Sequence, residues 1–269
     1  MTAELVRRQV LDDLPPLRAA LAARGLSLGW AVARAGDAEH VDATPAGPSE
    51  AQAAAGMPPT RRREFLAGRW AARRALRAAG GPGGEIGRAG RRPLAPAGWT
   101  LSISHSAGLA VAVAAPLGRH AAVGCDLELR RLPAAAARLV LTGPERAWAG
   151  DAGTPGAEHR LLALFSAKEA AFKLLCGLQP ETFGALTVAR LTADPPPAGA
   201  RPRAFRLRPV LPAAPDPPGM PDLPGAPGTA RAPGAPPPAA LVRVSAAGDG
   251  VFCWTALPAQ ALSGPTVGR

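Results

Sequence analysis

Val123-Gly124-Cys125-Asp126-Leu127-Glu128 reads as the end of a strand, and Phe165-Ser166-Ala167-Lys168-Glu169-Ala170-Ala171-Phe172-Lys173 as a helix. Apolar residues lead into the first stretch, and Gly124 lets its backbone pass close to a neighbour. Strand side chains two apart share a face, so Asp126 and Glu128 project together. In the second stretch Leu161, Leu164, Phe165, Phe172 and Leu175 line one apolar side. Glu169 and Lys173 stand four apart on another, with Ser166 one turn earlier. Two carboxylates on a strand and one on a helix suit a hard cation, which takes a few carboxylates and completes its shell with water and phosphate oxygens. The plainer readings are a solvated strand edge for Asp126 and Glu128 and a surface ion pair for Glu169 and Lys173, and each motif alone leaves that choice open.

Working outward, Leu101-Ser102-Ile103-Ser104-His105-Ser106 alternates apolar and small polar residues, as a strand running into a loop does. His105 between two hydroxyls forms a hydrogen-bonding cradle that suits a phosphate. Residues 109–115 read as a buried strand that pairs with 121–128. Upstream, residues 60–79 form a helix capped by Thr60, with Phe65, Ala72, Leu76 and Ala79 on its apolar stripe and Gly80-Gly81 at its end. Arg62, Arg69 and Arg73 fall on another face, and for Arg62 and Arg73 a solvated face is the expectation. Residues 4–24 read as a helix broken at Pro15-Pro16, 26–33 as a strand, and 36–59 as a connection with a short helix near Glu50–Ala55. Downstream, 133–150 are helical with a turn near Gly143-Pro144, 185–191 and 204–210 read as strands, and 240–244 with 251–254 form a hairpin. Residues 212–238 hold eleven prolines among mostly Ala and Gly. They cannot bury a core and read as a disordered insert. The last residues are expected to fray.

The 269 residues suffice for one large domain or two packed halves. No apolar run is long enough to span a bilayer. The start, with Glu4 and no apolar run behind it, does not read as a signal peptide. Three scattered cysteines, Cys125, Cys176 and Cys253, fit reduced thiols in a cytoplasm. The formal charge of +11 is carried almost wholly by arginine. It favours an anionic partner, but few aromatics accompany the arginines and no nucleic-acid-binding motif is present.

Taken in order, Ser102–Ser106, Gly124–Glu128 and Phe165–Glu169 with Lys173 resemble the signature motifs of 4′-phosphopantetheinyl transferases. Phe65-Leu66-Ala67-Gly68-Arg69 and Gly90-Arg91-Arg92-Pro93 match as well. The resemblance covers roughly residues 45–180 and is closest to the monomeric, surfactin-synthetase-activating type, in its enterobactin-synthetase-activating branch. It implies an α+β fold of two similar α/β halves, an intramolecular pseudo-dimer with the active site at the interface. The divide would fall near residue 118, giving an N-terminal half 1–118 on the coenzyme A 3′-phosphate and adenine side and a C-terminal half 119–269 with the metal and catalytic residues.

It also implies the reaction, in which the phosphopantetheine arm of coenzyme A passes to a serine of an acidic carrier protein of fatty-acid, polyketide, non-ribosomal peptide or siderophore synthesis. Asp126, Glu128 and Glu169 would hold Mg2+ (or Mn2+). Glu169 would be the general base, and Lys173 would stabilise the leaving group. Ser104 and His105 would hold coenzyme A phosphates, with Arg69 and Arg92 at the 3′-phosphate and adenine end. Arg61-Arg62-Arg63 has no residue-by-residue match to the lysines that relatives use there. A monomeric cytoplasmic enzyme is expected, with no nucleic acid and no membrane span. The competing readings are a magnesium-dependent nucleotide or pyrophosphate hydrolase, a coenzyme A binder without transfer, and a basic nucleic-acid-binding protein.

Overall fold

The computed structural model describes residues 3–33, 44–151, 154, 156–179, 187–194, 202–210 and 239–261. The Pro-rich stretch 212–238 and the last eight residues, expected above to be disordered and frayed, lie outside the described residues.

The chain opens with helix α1 (Ala3–Ala22) and strand β1 (Ser27–Val32), followed by α2 (Pro48–Ala55) and α3 (Pro59–Ala78). A two-residue hairpin, β2 (Arg88–Ala89) and β3 (Arg92–Pro93), leads to β4 (Trp99–Ser106) and β5 (Leu109–Pro116). β6 (His120–Glu128), α4 (Ala134–Val140), α5 (Gly143–Ala149) and α6 (Ala157–Leu178) come next. The chain then forms β7 (Leu191–Asp194), β8 (Ala204–Pro209), β9 (Ala240–Ala247) and β10 (Gly250–Pro258). One antiparallel sheet runs β1-β5-β4 and another β6-β10-β9-β8-β7. The class is α+β. In each sheet the strand that precedes the long helix lies beside the second strand of a later hairpin, so β1-β5-β4 repeats as β6-β10-β9.

Strand alternation divides the core. On β5, Leu109, Val111, Val113 and Ala115 point to a central core shared with α1 and with Val123, Cys125 and Leu127 of β6. The alternate residues Ala110, Ala112 and Ala114 face α3. They are all alanine, and α3 answers with Ala67, Ala71 and Ala75, so helix and sheet approach closely. Glycine completes both approaches. A Cβ on Gly29 would overlap the carbonyl oxygen of Ala71, and one on Gly124 would overlap that of Ala170. α6 therefore lies almost on the backbone of β6, the strand that carries Asp126.

Each of the long helices α3 and α6 also carries one side of a buried ion pair. Arg73 of α3 meets Glu50 of α2 at 2.6 Å, and Lys168 of α6 meets Glu145 of α5 at 2.6 Å. Each carboxylate also accepts a backbone N–H from further along the chain, Ile86 for Glu50 and Ala193 for Glu145.

Several local readings are corrected. Pro15 and Pro16 do not break α1. Both prolines are exposed while Val10, Leu14 and Leu21 are buried, so water can satisfy the carbonyls they leave and the apolar face holds the helix together. Thr60 lies inside α3, whose N-cap is Pro58. Arg73 is not on a solvated face but almost fully buried. β5 pairs with β1 and β4, whereas β6 crosses to the other sheet and pairs with β10. Within the expected strand 185–191, residues 188–190 form a 3-10 turn, and the strand spans Leu191–Asp194.

Two stability predictions follow from the packing. Gly124→Ala should lower the unfolding free energy by about 2–3 kcal/mol, because the added methyl meets backbone that cannot swing aside. Glu145→Ala should cost about 3–5 kcal/mol by stranding a buried ammonium. Urea titration of each variant checks both, and losses below about 0.5 kcal/mol, the range of ordinary surface changes, would show that neither contact is confining.

Candidate active site

β4 and β6 each lie at an edge of their sheets, and between them run serine hydroxyls instead of a backbone ladder. Alternation puts Ser102, Ser104 and Ser106 on one face of β4. Ser102 Oγ accepts the Cys125 N–H at 3.0 Å, and Ser106 Oγ accepts the Leu129 N–H at 3.1 Å. Ser104, between them, donates to Asp126 Oδ1 at 2.8 Å. The spacing of serines that reads as a phosphate cradle in the sequence is here a seam between sheets.

Lys173 closes that seam from above. Its ammonium donates to Asp126 Oδ1 at 2.6 Å, to Ser104 Oγ at 3.1 Å and to the Cys125 carbonyl at 3.2 Å. An ammonium has three protons, so all are committed. Burial pulls the lysine pKa down, but Asp126 and Glu169 outweigh it and hold Lys173 above its usual value, firmly charged.

The carboxylates are in the opposite condition. Asp126 is 3% exposed, and its Oδ2 has no hydrogen-bond partner among the described residues. Burial, then Asp126, and then Glu169 raise Glu128 to about 7 against the pull of Lys173. Burial raises Glu169 as well, helped by Asp126 and opposed by Lys173 and Arg91. Three acids near one ammonium leave negative charge in excess, and the unpartnered buried Oδ2 of Asp126 is an oxygen that a cation would satisfy. Carboxylate oxygens of this kind are the donor type a hard divalent ion takes. In the structure as it stands, no three His, Cys, Asp or Glu side chains among the described residues converge at metal-binding separation.

The remaining expected residues are distributed as follows. His105 points away from the serines, toward α3. Its Nε2 meets the Arg61 guanidinium, and its Nδ1 lies 3.8 Å from Glu64. Burial first, with Arg61 and Lys173, lowers the imidazole below its usual pKa against Glu64 and Asp126. A neutral ring that accepts from Arg61 is consistent with that shift. Arg69 is turned inward, 6% exposed, with its guanidinium on the carbonyls of Ile86 and Gly87 at 3.1 and 3.3 Å. Arg92 reaches α6, donating to the Cys176 carbonyl at 3.3 Å, and brings with it Arg91, whose charge acts on Glu169. Sequence reasoning left Arg61 unplaced and missed Arg91. The signal for Arg91 was its place at the tip of the Gly90-Arg91-Arg92-Pro93 turn.

Comparison with known proteins gives two matches, one on each side of the turn between β5 and β6. Residues 49–115 match the model of the 4′-phosphopantetheinyl transferase N-terminal domain, and residues 122–208 match that of the 4′-phosphopantetheinyl transferase superfamily. The chain belongs to the 4′-phosphopantetheinyl transferase superfamily. Among curated relatives, the 4′-phosphopantetheinyl transferase Npt of Nocardia iowensis is 35% identical over 137 residues, which is 50% of this chain and 61% of the relative. The boundary between the two family matches falls in the turn between β5 and β6, where the chain leaves one sheet for the other. Among the described residues no helix is long and apolar enough to cross a membrane.

The raised Glu128 gives a pH test. Its folded-state pKa of about 7 exceeds the usual 4.5, so the folded protein binds that proton more tightly than the unfolded chain. The resulting stability is complete below the usual value and is lost as pH rises through the folded one. With chelator present, wild type should lose stability relative to Glu128→Gln between pH 5 and 7.5, read as the difference in melting temperature (window set by ~1 pH unit around the shift). A difference that does not change with pH would show that Glu128 is not desolvated.

Proposed function

We propose that this protein transfers the 4′-phosphopantetheine arm of coenzyme A to a serine hydroxyl of an apo carrier protein, releasing adenosine 3′,5′-bisphosphate. The observation that carries the reading is buried Asp126 bonded to Lys173 at the seam of the two sheets, with Glu128 and Glu169 within electrostatic reach of both, in a chain of this superfamily. Transfer makes a bond from the serine oxygen to the β-phosphorus and breaks that phosphorus from the bridging oxygen of the nucleotide. The serine proton needs a base and the departing phosphate needs compensating charge.

Glu169 is the base in this proposal. It makes no hydrogen bond or ion pair among the described residues, it is half-buried on α6, and burial raises its proton affinity. Lys173 has no proton to spare for substrate while it holds Asp126, Ser104 and Cys125. It therefore acts first as the clamp that fixes Asp126, and its charge lowers the cost of the anionic transition state through the field. Asp126, Glu128 and Glu169 would hold Mg2+ or Mn2+, which when bound neutralises the pyrophosphate and orients it for attack. Arg61 with His105, and Arg91 with Arg92, would flank the nucleotide end. Arg69 supports that end from behind by holding the loop.

The same reading gives two halves, 1–118 and 119–269, as an intramolecular pseudo-dimer with the site at their junction; the repeated strand order and the twin buried ion pairs support it. It also gives a monomeric cytoplasmic enzyme of the surfactin-synthetase-activating type. Its acidic carrier partner, of fatty-acid or of secondary-metabolite or siderophore synthesis, would be drawn in by the basic surface.

Intact-protein mass spectrometry tests the reading. Apo carrier proteins incubated with the protein, coenzyme A and magnesium should gain one phosphopantetheine mass, and chelator should abolish the gain. Glu169→Gln should reduce the rate by about 100-fold or more while leaving the fold intact. Release of phosphate products to water without modification of any carrier would favour a hydrolase instead.

A further inference from the structure

The hairpin of β2 and β3 has two residues on each side and cannot hold a position alone. Yet its tip must be placed with care, because it sets Arg92 on the Cys176 carbonyl of α6 and carries Arg91, whose charge acts on Glu169. What places it lies beneath, out of contact with solvent. The Ile86 N–H donates to Glu50 Oε1 at 2.8 Å, and the Ile86 carbonyl accepts from Arg69 Nε at 3.1 Å. The Gly87 carbonyl takes Arg69 at 3.3 Å and the Leu94 N–H at 3.0 Å, which closes the base of the hairpin. Glu85 accepts the Glu50 N–H at 2.7 Å. Arg73, 2% exposed and 2.6 Å from Glu50 Oε1, neutralises the carboxylate that holds Ile86.

We infer that the buried Glu50–Arg73 pair is a positioning device, which with Arg69 clamps Ile86–Gly87 and thereby sets the Arg91–Arg92 hairpin over α6 to receive the anionic nucleotide of coenzyme A. The part played by coenzyme A rests on the transferase reading; the clamp itself rests on the contacts alone. Glu50 and Arg73 touch no substrate. Their removal loosens the hairpin, so it weakens binding and spares the bound-state chemistry, which resides on β6 and α6. A pair that merely stabilised the fold would lower the melting temperature and leave coenzyme A affinity alone.

The test uses the full-length protein with Arg73→Ala, Glu50→Gln and Arg73→Lys. Amide exchange at Ile86 and Leu94 should accelerate about tenfold or more in the first two, with Val111 and Val113 of β5 unchanged. The Kd for coenzyme A by calorimetry should rise about tenfold or more, while kcat at saturating coenzyme A stays within about threefold. Arg73→Lys, which keeps the charge and one donor, should recover most of both losses. If Arg73→Ala does not fold, the other two variants read the same quantities. Folded variants with unchanged exchange at Ile86 and Leu94, or with unchanged Kd and a fallen kcat, overturn the inference. Failure of the wild type to bind coenzyme A would instead overturn the transferase reading and the hairpin's role in it, and exchange would still decide the clamp.

Discussion

A strand at the edge of a sheet carries backbone groups that need partners, and the way β6 meets that need governs the rest of the molecule. One side of β6 pairs with β10 along its length. On the other side Ser102 and Ser106 take the N–H groups of Cys125 and Leu129, and Lys173 takes the carbonyl of Cys125. Side-chain bonding joins the two sheets without fusing them into one ladder. Asp126 and Glu128 lie at that junction, where Ser104 donates to Asp126 at 2.8 Å and Ser106 to Glu128 at 3.5 Å. The same lysine that satisfies the edge also neutralises one acid. Edge satisfaction and site construction are thus one set of bonds, and a change to Ser104 or Lys173 is felt by both.

The two larger sheets solve the same packing problem twice. Each lays a long helix across a strand through a glycine and anchors it with a buried carboxylate that also takes a backbone N–H from beyond the helix. A buried ion pair is weak evidence for stability, since desolvation offsets most of the attraction. Its value here is directional. Glu145 binds Lys168, Thr142 and Ala193, and Lys168 also binds the Val140 carbonyl, so four segments meet at one point. The neighbouring residue on α6 is Glu169, about a third of a turn round the helix from the buried Lys168 and itself only half-buried. The adjacent Lys and Glu of this motif therefore lie on different faces and do different work.

Much of this was legible in the sequence. The period-two spacing of Asp126 and Glu128, the helical spacing of Glu169 and Lys173, and the need for glycine at 124 come from local geometry, which a sequence records directly. What was not legible depends on long-range choice. Arg73 looks like any other arginine in a chain where arginine supplies nearly all the positive charge, and only the arrival of Glu50 from another helix explains its burial. Pro15 and Pro16 should stop an isolated helix, but a buried apolar face on the same helix outweighs two lost bonds. The pairing of β6 with β10 spans a sequence gap that local pattern cannot rank against the nearer β5. For Ser104 the sequence offers a hydroxyl that suits a phosphate, and its bond to Asp126 across the sheets comes from long-range packing that local pattern does not record.

The division of charge at the seam bears on how a site of this kind can be both rigid and reactive. The part-buried Lys173 is tightly bonded to the buried Asp126, so their geometry is set before any substrate arrives and needs little reorganisation afterwards. Glu128 and Glu169 are less constrained. Each is held near acids of the same sign and made more basic by burial, so each gains by accepting a cation or a proton. A fixed pair supplies orientation and a destabilised pair supplies the driving force for binding positive charge. If all four groups were satisfied within the protein, the site would be more stable and chemically idle. The excess of negative charge that β6 and α6 retain, within a protein that is otherwise strongly basic, is what distinguishes this seam from the surface around it.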